Sequence, residues 1–286
     1  AVLGTRSASF EVIFLTILVM KIIAVRRDDR FSPNSVEKDR AILQAVCDRL
    51  PYEVVMIDEC KLSANDEADI FLSMARLPET LNLLKVKEDA GAVVVNSAYG
   101  VEACERGRLD NLMRDNNISV PPSDGDSGYW LKRGDAAAQS KSDVVYCKDR
   151  ATLAEKEADF VIRGITNWII QWHVLGDLVK FYAVKGGFFR YFYPSDDGES
   201  KFGDEKLNGD ACHYAFDEHL LKATADKVAQ ITGIDVYGGD AIITEDGNFY
   251  IIDFNDWPSF SRCRDIAADA IAKLTNKKNS LNIIKI

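Results

Sequence analysis

A chain of 286 residues, 47% of them hydrophobic, can bury a substantial core as one large domain or two to three small lobes. Its formal net charge of −10 argues against a nucleic-acid partner, because binding through phosphates needs a basic surface and no basic cluster offsets the acids. The six cysteines, Cys47, Cys60, Cys104, Cys147, Cys212 and Cys263, lie far apart. They form no Cys-x-x-Cys pair and have only His173, His213 and His219 to complete a zinc site, a pattern that fits a reducing cytoplasm.

Residues 12–25 are nearly all apolar and follow Arg6 in the manner of a signal peptide. Lys21 interrupts the run, no small-x-small cleavage site follows, and it is shorter than the roughly 20 residues a bilayer span needs. No membrane partner is therefore expected. Met20-Lys21-Ile22-Ile23-Ala24-Val25 reads as a natural start running into a first strand, which makes residues 1–19 an extension outside the fold. A strand at 21–25 leads through a charged loop to Asn34, whose spacing from Glu37 resembles a capping box for a helix through Leu50. Residues 53–58 read as a second strand, 68–85 as a helix and 91–96 as a third strand, together a small parallel α/β lobe.

A helix over 97–116 carries Arg106 and Arg108, and Pro121-Pro122 marks a boundary. Strands follow at 129–132 and 144–147, separated by the small-residue loop 133–140, and then a helix at 151–162. Strands at 168–172, 179–184 and 188–192 precede a polar loop at 194–212 and a helix at 218–231.

The segment 238–255 has two apolar runs flanking Asp246-Gly247, the signal of a β-hairpin. With a two-residue type I′ turn, Glu245 pairs with Asn248, and counting outward puts Asp240 opposite Asp253 with Asn255 on the same face. Carboxylates roughly 5 Å apart repel each other unless a cation lies between them. Two Asp and one Asn suit Mg²⁺, which takes one or two carboxylates and fills its octahedron with water and phosphate oxygens. The competing reading is a surface hairpin with scattered acids.

In order and content the chain from Met20 onward resembles the ATP-grasp superfamily. The resemblance implies an α/β and α+β fold: a small parallel lobe at 20–120, a small ATP-grasp lobe at 121–170 and a C-terminal lobe at 171–286 bearing the Mg²⁺ hairpin. It implies ATP and Mg²⁺ (or Mn²⁺) as cofactors, with Asp240, Asp253 and Asn255 as metal ligands. Lys132 and Arg108 stand where the family's basic residues reach the phosphates, Gln171-Trp172-His173-Val174 where the hinge lines adenine, and Asp177 and Lys180 where an acid and a base follow it. A triphosphate brings about four negative charges to an already anionic chain, so cations must converge on it. Ser259, Ser261, Arg262 and Arg264 follow the metal strand closely enough to meet an acceptor.

The implied activity is a ligase joining a carboxylate to an amine or thiol through an acylphosphate, with small-molecule or peptide substrates. Three positions depart from the family pattern: the 134–140 loop is poorer in glycine, Trp172 replaces a hinge acid, and Asp253 replaces the Glu common among the ligases. Asp at that place also occurs in inositol polyphosphate kinases of the same superfamily, so a small-molecule kinase stands as an alternative, and a non-catalytic nucleotide-binding protein as a second.

Overall fold

The structure is a computed structural model that describes residues 20–135, 140–197 and 207–283. The expected extension at 1–19 and residues 136–139 of the small-residue loop lie outside the described residues. The first unit is a parallel sheet of four strands, β1 (Ile22–Arg26), β2 (Val54–Asp58), β3 (Ile70–Ser73) and β4 (Val93–Val95), in the order β2-β1-β3-β4. Helices α1 (Val36–Cys47) and α2 (Pro78–Asp89) connect its strands.

Two expectations change here. The span 68–85 is not one helix, because all four residues of β3 are buried in the middle of the sheet. A central parallel strand is covered on both faces, so it shows no alternation and reads like part of a buried helix. The helix begins only at Pro78, which occupies a first-turn position where its missing N–H costs nothing. The Asn34–Glu37 capping box does not form either. Ser35 is the N-cap, with no side-chain cap bond, so Glu37 falls at the second helical position, one short of the place from which it could reach back.

The expected helix over 97–116 is broken at Cys104-Glu105 into α3 (Ala98–Ala103) and α4 (Arg106–Asp115). Beyond it, β5 (Tyr129–Arg133), β6 (Val144–Cys147) and β7 (Trp168–Trp172) form an antiparallel sheet in the order β6-β5-β7. Helix α5 (Arg150–Ile162) packs on this sheet, its first turn capped by Asp149 through the Thr152 N–H at 2.8 Å.

The last unit is an antiparallel sheet in the order β11-β10-β8-β9, built from β8 (Asp177–Val184), β9 (Phe188–Phe192), β10 (Val236–Ile243) and β11 (Phe249–Asp256). Helices α6 (Glu218–Thr232) and α7 (Arg264–Ile283) complete it. Asp217 caps α6, and Gly233 ends it in the left-handed conformation at φ 81°.

The cores bind these units unequally. Ile23, Phe71 and Val94 of the parallel sheet share one core with Val179, Phe181, Ala241 and Phe254 of the last sheet. A second core joins α1 to α7 around Trp257 and Phe260. The middle sheet has a separate small core of Tyr129, Leu131, Cys147, Leu153, Phe160 and Ile165. Among the described residues no helix is long and apolar enough to cross a membrane.

Candidate active site

The β10–β11 hairpin brings Asp240 opposite Asp253, as counting from the turn expected, but by another route. Its loop has three residues, since Thr244 pairs with Asn248 through a backbone bond of 2.9 Å and Gly247 alone takes a positive φ of 79°. The extra loop residue shifts the ladder to Ile243↔Phe249, Ile242↔Tyr250 and Ala241↔Ile251. A β-bulge at Ile252 then restores the frame at Asp240↔Asp253. Gly239 lets the strands close at this point: a Cβ there would lie 2.2 Å from the Asp253 carbonyl oxygen.

On the other side β10 pairs with β8, placing Lys180 beside Asp240. Lys180, Asp240 and Asp253 therefore form one row across three strands, with Lys180 Nζ 2.6 Å from Asp240 Oδ1. Asn255 Nδ2 donates to Asp253 Oδ2 at 3.0 Å. Burial pushes the Asp253 carboxyl up, yet the charges of Arg106 and Lys132, the Asn255 hydrogen bond and Lys180 together hold it below the usual carboxylate range.

Lys132 approaches from β5, and its buried Nζ donates to Gln171 Oε1 at 2.8 Å and to the carbonyl oxygen of Ile252 at 2.9 Å. The bulged residue supplies that acceptor. Burial pushes the Lys132 ammonium down to about 8; Asp253, Asp240 and Asp110 oppose the shift while Arg106 adds to it. Gln171 Nε2 reaches Asp110 Oδ1 at 3.3 Å, and Arg114 closes the chain on Asp110 at 2.7 Å. Arg106, on the same face of α4, donates to the Arg133 carbonyl at 2.8 Å.

Two facing carboxylates, one held ionised, with an amide alongside form a hard oxygen set that fits Mg²⁺ or Mn²⁺ once the Asn255 amide presents its oxygen. Among the described residues no group of three or more His, Cys, Asp or Glu side chains gathers as a metal site. A cation here would have two carboxylates and leave the remaining positions to water and phosphate.

No family model matches the sequence, and no curated protein does. Solved structures do. A D-alanyl-alanine synthetase A from Vibrio cholerae aligns with 93% of this chain and 98% of its own at a TM-score of 0.65 and 12% identity. A RimK-domain ATP-grasp protein from Sphaerobacter thermophilus aligns over 88% and 98% at 0.60 and 17%. The ATP-grasp ligase PsnB, solved with a minimal precursor, aligns over 90% and 100% at 0.54 and 16%.

The fold is that of the ATP-grasp superfamily.

Within this ATP-grasp fold the other expected site residues divide into those near the row and those held elsewhere. In the segment 171–174 much of the polar backbone is engaged. Trp172 N–H donates to Pro122 O at 2.7 Å, His173 N–H to Gly128 O at 2.9 Å, and Ser127 Oγ and Asn208 Nδ2 donate to the carbonyls of His173 and Val174 at 2.6 and 3.3 Å. His173 Nδ1 accepts from Trp130 Nε1 at 3.1 Å, and burial lowers the pKa of the ring, so the neutral imidazole fits. Gly125 lies flat against Trp172: a Cβ there would come within 2.2 Å of Cδ1.

The buried Asp177 carboxylate accepts from the backbone N–H groups of Cys212 and Tyr214 at 2.7 and 2.8 Å, tying down the segment before α6. Arg108 is not brought to the row. It lies exposed on α4, 3.4 Å from Glu102 and 3.6 Å from Glu105.

After β11, Trp257 and Phe260 take positive φ of 36° and 48°, rare for bulky residues, and are locked by complete burial. Between them Ser259 is buried, while the Ser261 side chain hydrogen-bonds Tyr182. Arg262 lies over the Phe192 ring at 5.5 Å and reaches Tyr193 O at 3.4 Å. Arg264 opens α7.

Arg106 and Asp110 are the cluster members that sequence spacing did not select. A signal for both existed: positions 106, 110 and 113 repeat at i, i+4, i+7 with the buried Asp110 and Met113, whereas 108 points away from that face.

Proposed function

We propose that the chain is an ATP- and Mg²⁺- (or Mn²⁺-) dependent ligase joining a carboxylate to an amine or thiol through an acylphosphate. The observation that carries this reading is the convergence of Lys132, Arg106 and Lys180 on the Asp240–Asp253 pair, from three units of the fold. It is supported by neighbours that include a D-alanine–D-alanine ligase from Bacillus anthracis solved with ATP and PsnB solved with a precursor peptide and AMPPNP. The division at about 120 and 170 into a leading lobe and two clasping lobes belongs to the same proposal.

In this reading segment 171–174 lines adenine with the walls of Ile170 and Trp172. Lys132 exchanges the Ile252 carbonyl for phosphate oxygens, and Arg106 and Lys180 add charge on either side. Asp240, Asp253 and Asn255 would hold Mg²⁺, which would supply further neutralisation of the phosphate oxygens. The substrate carboxylate forms a bond to the γ-phosphorus as the bond to ADP breaks. The amine then bonds to the acyl carbon, phosphate leaves, and the amine proton is released. No protein nucleophile is needed, so these side chains act by alignment and charge stabilisation. Ser259, Ser261, Arg262 and Arg264 lie on the segment leaving the metal strand, where arginines favour an anionic acceptor.

Asp253 favours a second reading, a small-molecule kinase with the same nucleotide site, because Asp stands where the ligases commonly have Glu. Incubation with ATP, Mg²⁺ and a metabolite pool separates the possibilities. A ligase releases ADP and free phosphate and forms a product lighter than its two parts by one water. A kinase releases ADP and a phosphorylated product without free phosphate. Binding seen as a thermal shift, with no ADP formed, would mark a non-catalytic nucleotide-binding protein and overturn both.

A further inference from the structure

The strand that carries Asp253 and Asn255 ends in a buried ionic clamp that the nucleotide reading does not use. Along β11, Phe254 and Asp256 face the interior while Asp253 and Asn255 remain partly exposed. Asp256 therefore points away from the metal face and cannot ligate there. Its carboxylate is gripped instead by two arginines of the parallel-sheet unit. Arg76 Nη2 lies 2.6 Å from Oδ1, and Arg27 Nη2 lies 3.2 Å from Oδ2. The same Arg27 nitrogen is 3.2 Å from the main-chain oxygens of Asp256 and Trp257, so it holds the backbone as the chain leaves the strand.

Both arginines are themselves fixed. Arg27 Nε donates to Met74 O at 3.2 Å and Nη1 to Asp39 at 3.3 Å. Buried Glu59, just after β2, accepts from the N–H groups of Asp28 at 2.5 Å and of Arg76 and Leu77 at 2.7 Å each. The C-terminal ends of β1, β2 and β3 are thus bound into one platform, and its output is the grip on Asp256.

Stability alone is a weak reason for such a clamp, since well-packed apolar groups of similar volume commonly do as well as a buried ion pair. What the ions add is a directional, multidentate hold on one strand end. We infer that Asp256, held between Arg27 and Arg76, is a positioning residue for Asp253 and Asn255, so that cation affinity is set from the C-terminal edge of the parallel sheet. This rests on the reading of Asp240, Asp253 and Asn255 as a divalent-cation site.

The test is Mn²⁺ binding alone, followed by electron paramagnetic resonance on the full chain, with Asp253→Asn defining the signal that belongs to this site. Asp256→Asn and the volume-conserving Arg76→Met are expected to weaken that binding about tenfold or more, the range for partners that orient ligands from behind. Arg76→Met keeps the question open to measurement if Asp256→Asn does not fold. Leu43→Ala, in the α1 core, is expected to lower the melting temperature while leaving Mn²⁺ affinity unchanged. Unaltered affinity in both clamp variants overturns the inference, as does a loss in Leu43→Ala that tracks its loss of stability. Mn²⁺ bound tightly by a protein that binds no nucleotide would overturn the ligase proposal and leave the clamp standing. A wild-type chain that binds no Mn²⁺ overturns both.

Discussion

Lys132 is the residue where charge, burial and backbone meet. Its folded pKa of about 8 lies below the ordinary lysine value. In that direction the fold disfavours the ammonium, so folding stability gains between about pH 8 and 10.5 as the proton is lost in the folded state first. Nucleotide binding runs the opposite way, because phosphate needs the charged form. Under the proposed function, the Kd for ATP is expected to rise about tenfold between pH 7 and 9, measured by calorimetry or fluorescence titration. Lys132→Arg, whose guanidinium keeps its charge throughout, should flatten that rise even if it binds more weakly. A wild-type Kd flat over this range would place the phosphates elsewhere. The contrast in placement between Arg106 and Arg108 also belongs to this scale. Two positions apart on a helix means opposed faces, so a distance counted along the chain could not choose between them, whereas the phase of Leu109, Asp110 and Met113 could.

Among the elements, the hairpin shows how a correct pairing followed from an incorrect turn. The two apolar runs and the Asp-Gly pair made both strands legible, and the Asp240↔Asp253 register followed from them. The three-residue loop and the bulge at Ile252 were not legible, because each adds one residue and their effects on the register cancel. Strand β3 was hidden for the opposite reason: Ile70-Phe71-Leu72-Ser73 is buried on both faces and has no period to read. Most other strands were placed within a residue or two, since each is a short apolar run bounded by turn-forming or charged residues. The close approach at the hairpin leads to a stability prediction. Gly239→Ala would set its methyl against the Asp253 carbonyl and 2.6 Å from the Phe181 ring. Overpacking of that kind costs about 1–3 kcal/mol, which should appear as a drop of several degrees in the melting temperature. Cation binding should weaken with it, as the two acids are moved apart.

Across the whole molecule, the parallel sheet and the last antiparallel sheet share cores and an ionic clamp, while the middle sheet keeps its own small core. The clamp has an acid signature. Burial raises the Asp256 carboxyl, but Arg76 and Arg27 outweigh it and the pKa lies below the usual value. A depressed folded pKa stabilises above the unfolded value of about 4 and is lost as pH falls through the folded one. The melting-temperature gap between wild type and Asp256→Asn should therefore narrow as the pH is taken below about 4. A gap that stays constant would mean that the charge of Asp256 contributes nothing to holding the units together. This long-range contact was invisible in the sequence, because Arg27, Arg76 and Asp256 are 49 and 180 positions apart and carry no local pattern.

Of the two acceptors that hold Lys132, one is the main-chain oxygen of the bulged residue, and every amino acid has one. Which side chain stands at 252 is therefore almost immaterial to that bond, and exchange of Ile252 for Val or Thr should leave it in place. Its existence depends on how many residues lie between Ile251 and Asp253. In this hairpin the lysine's resting place is written in chain length, so a one-residue deletion would remove what no point substitution at that position could.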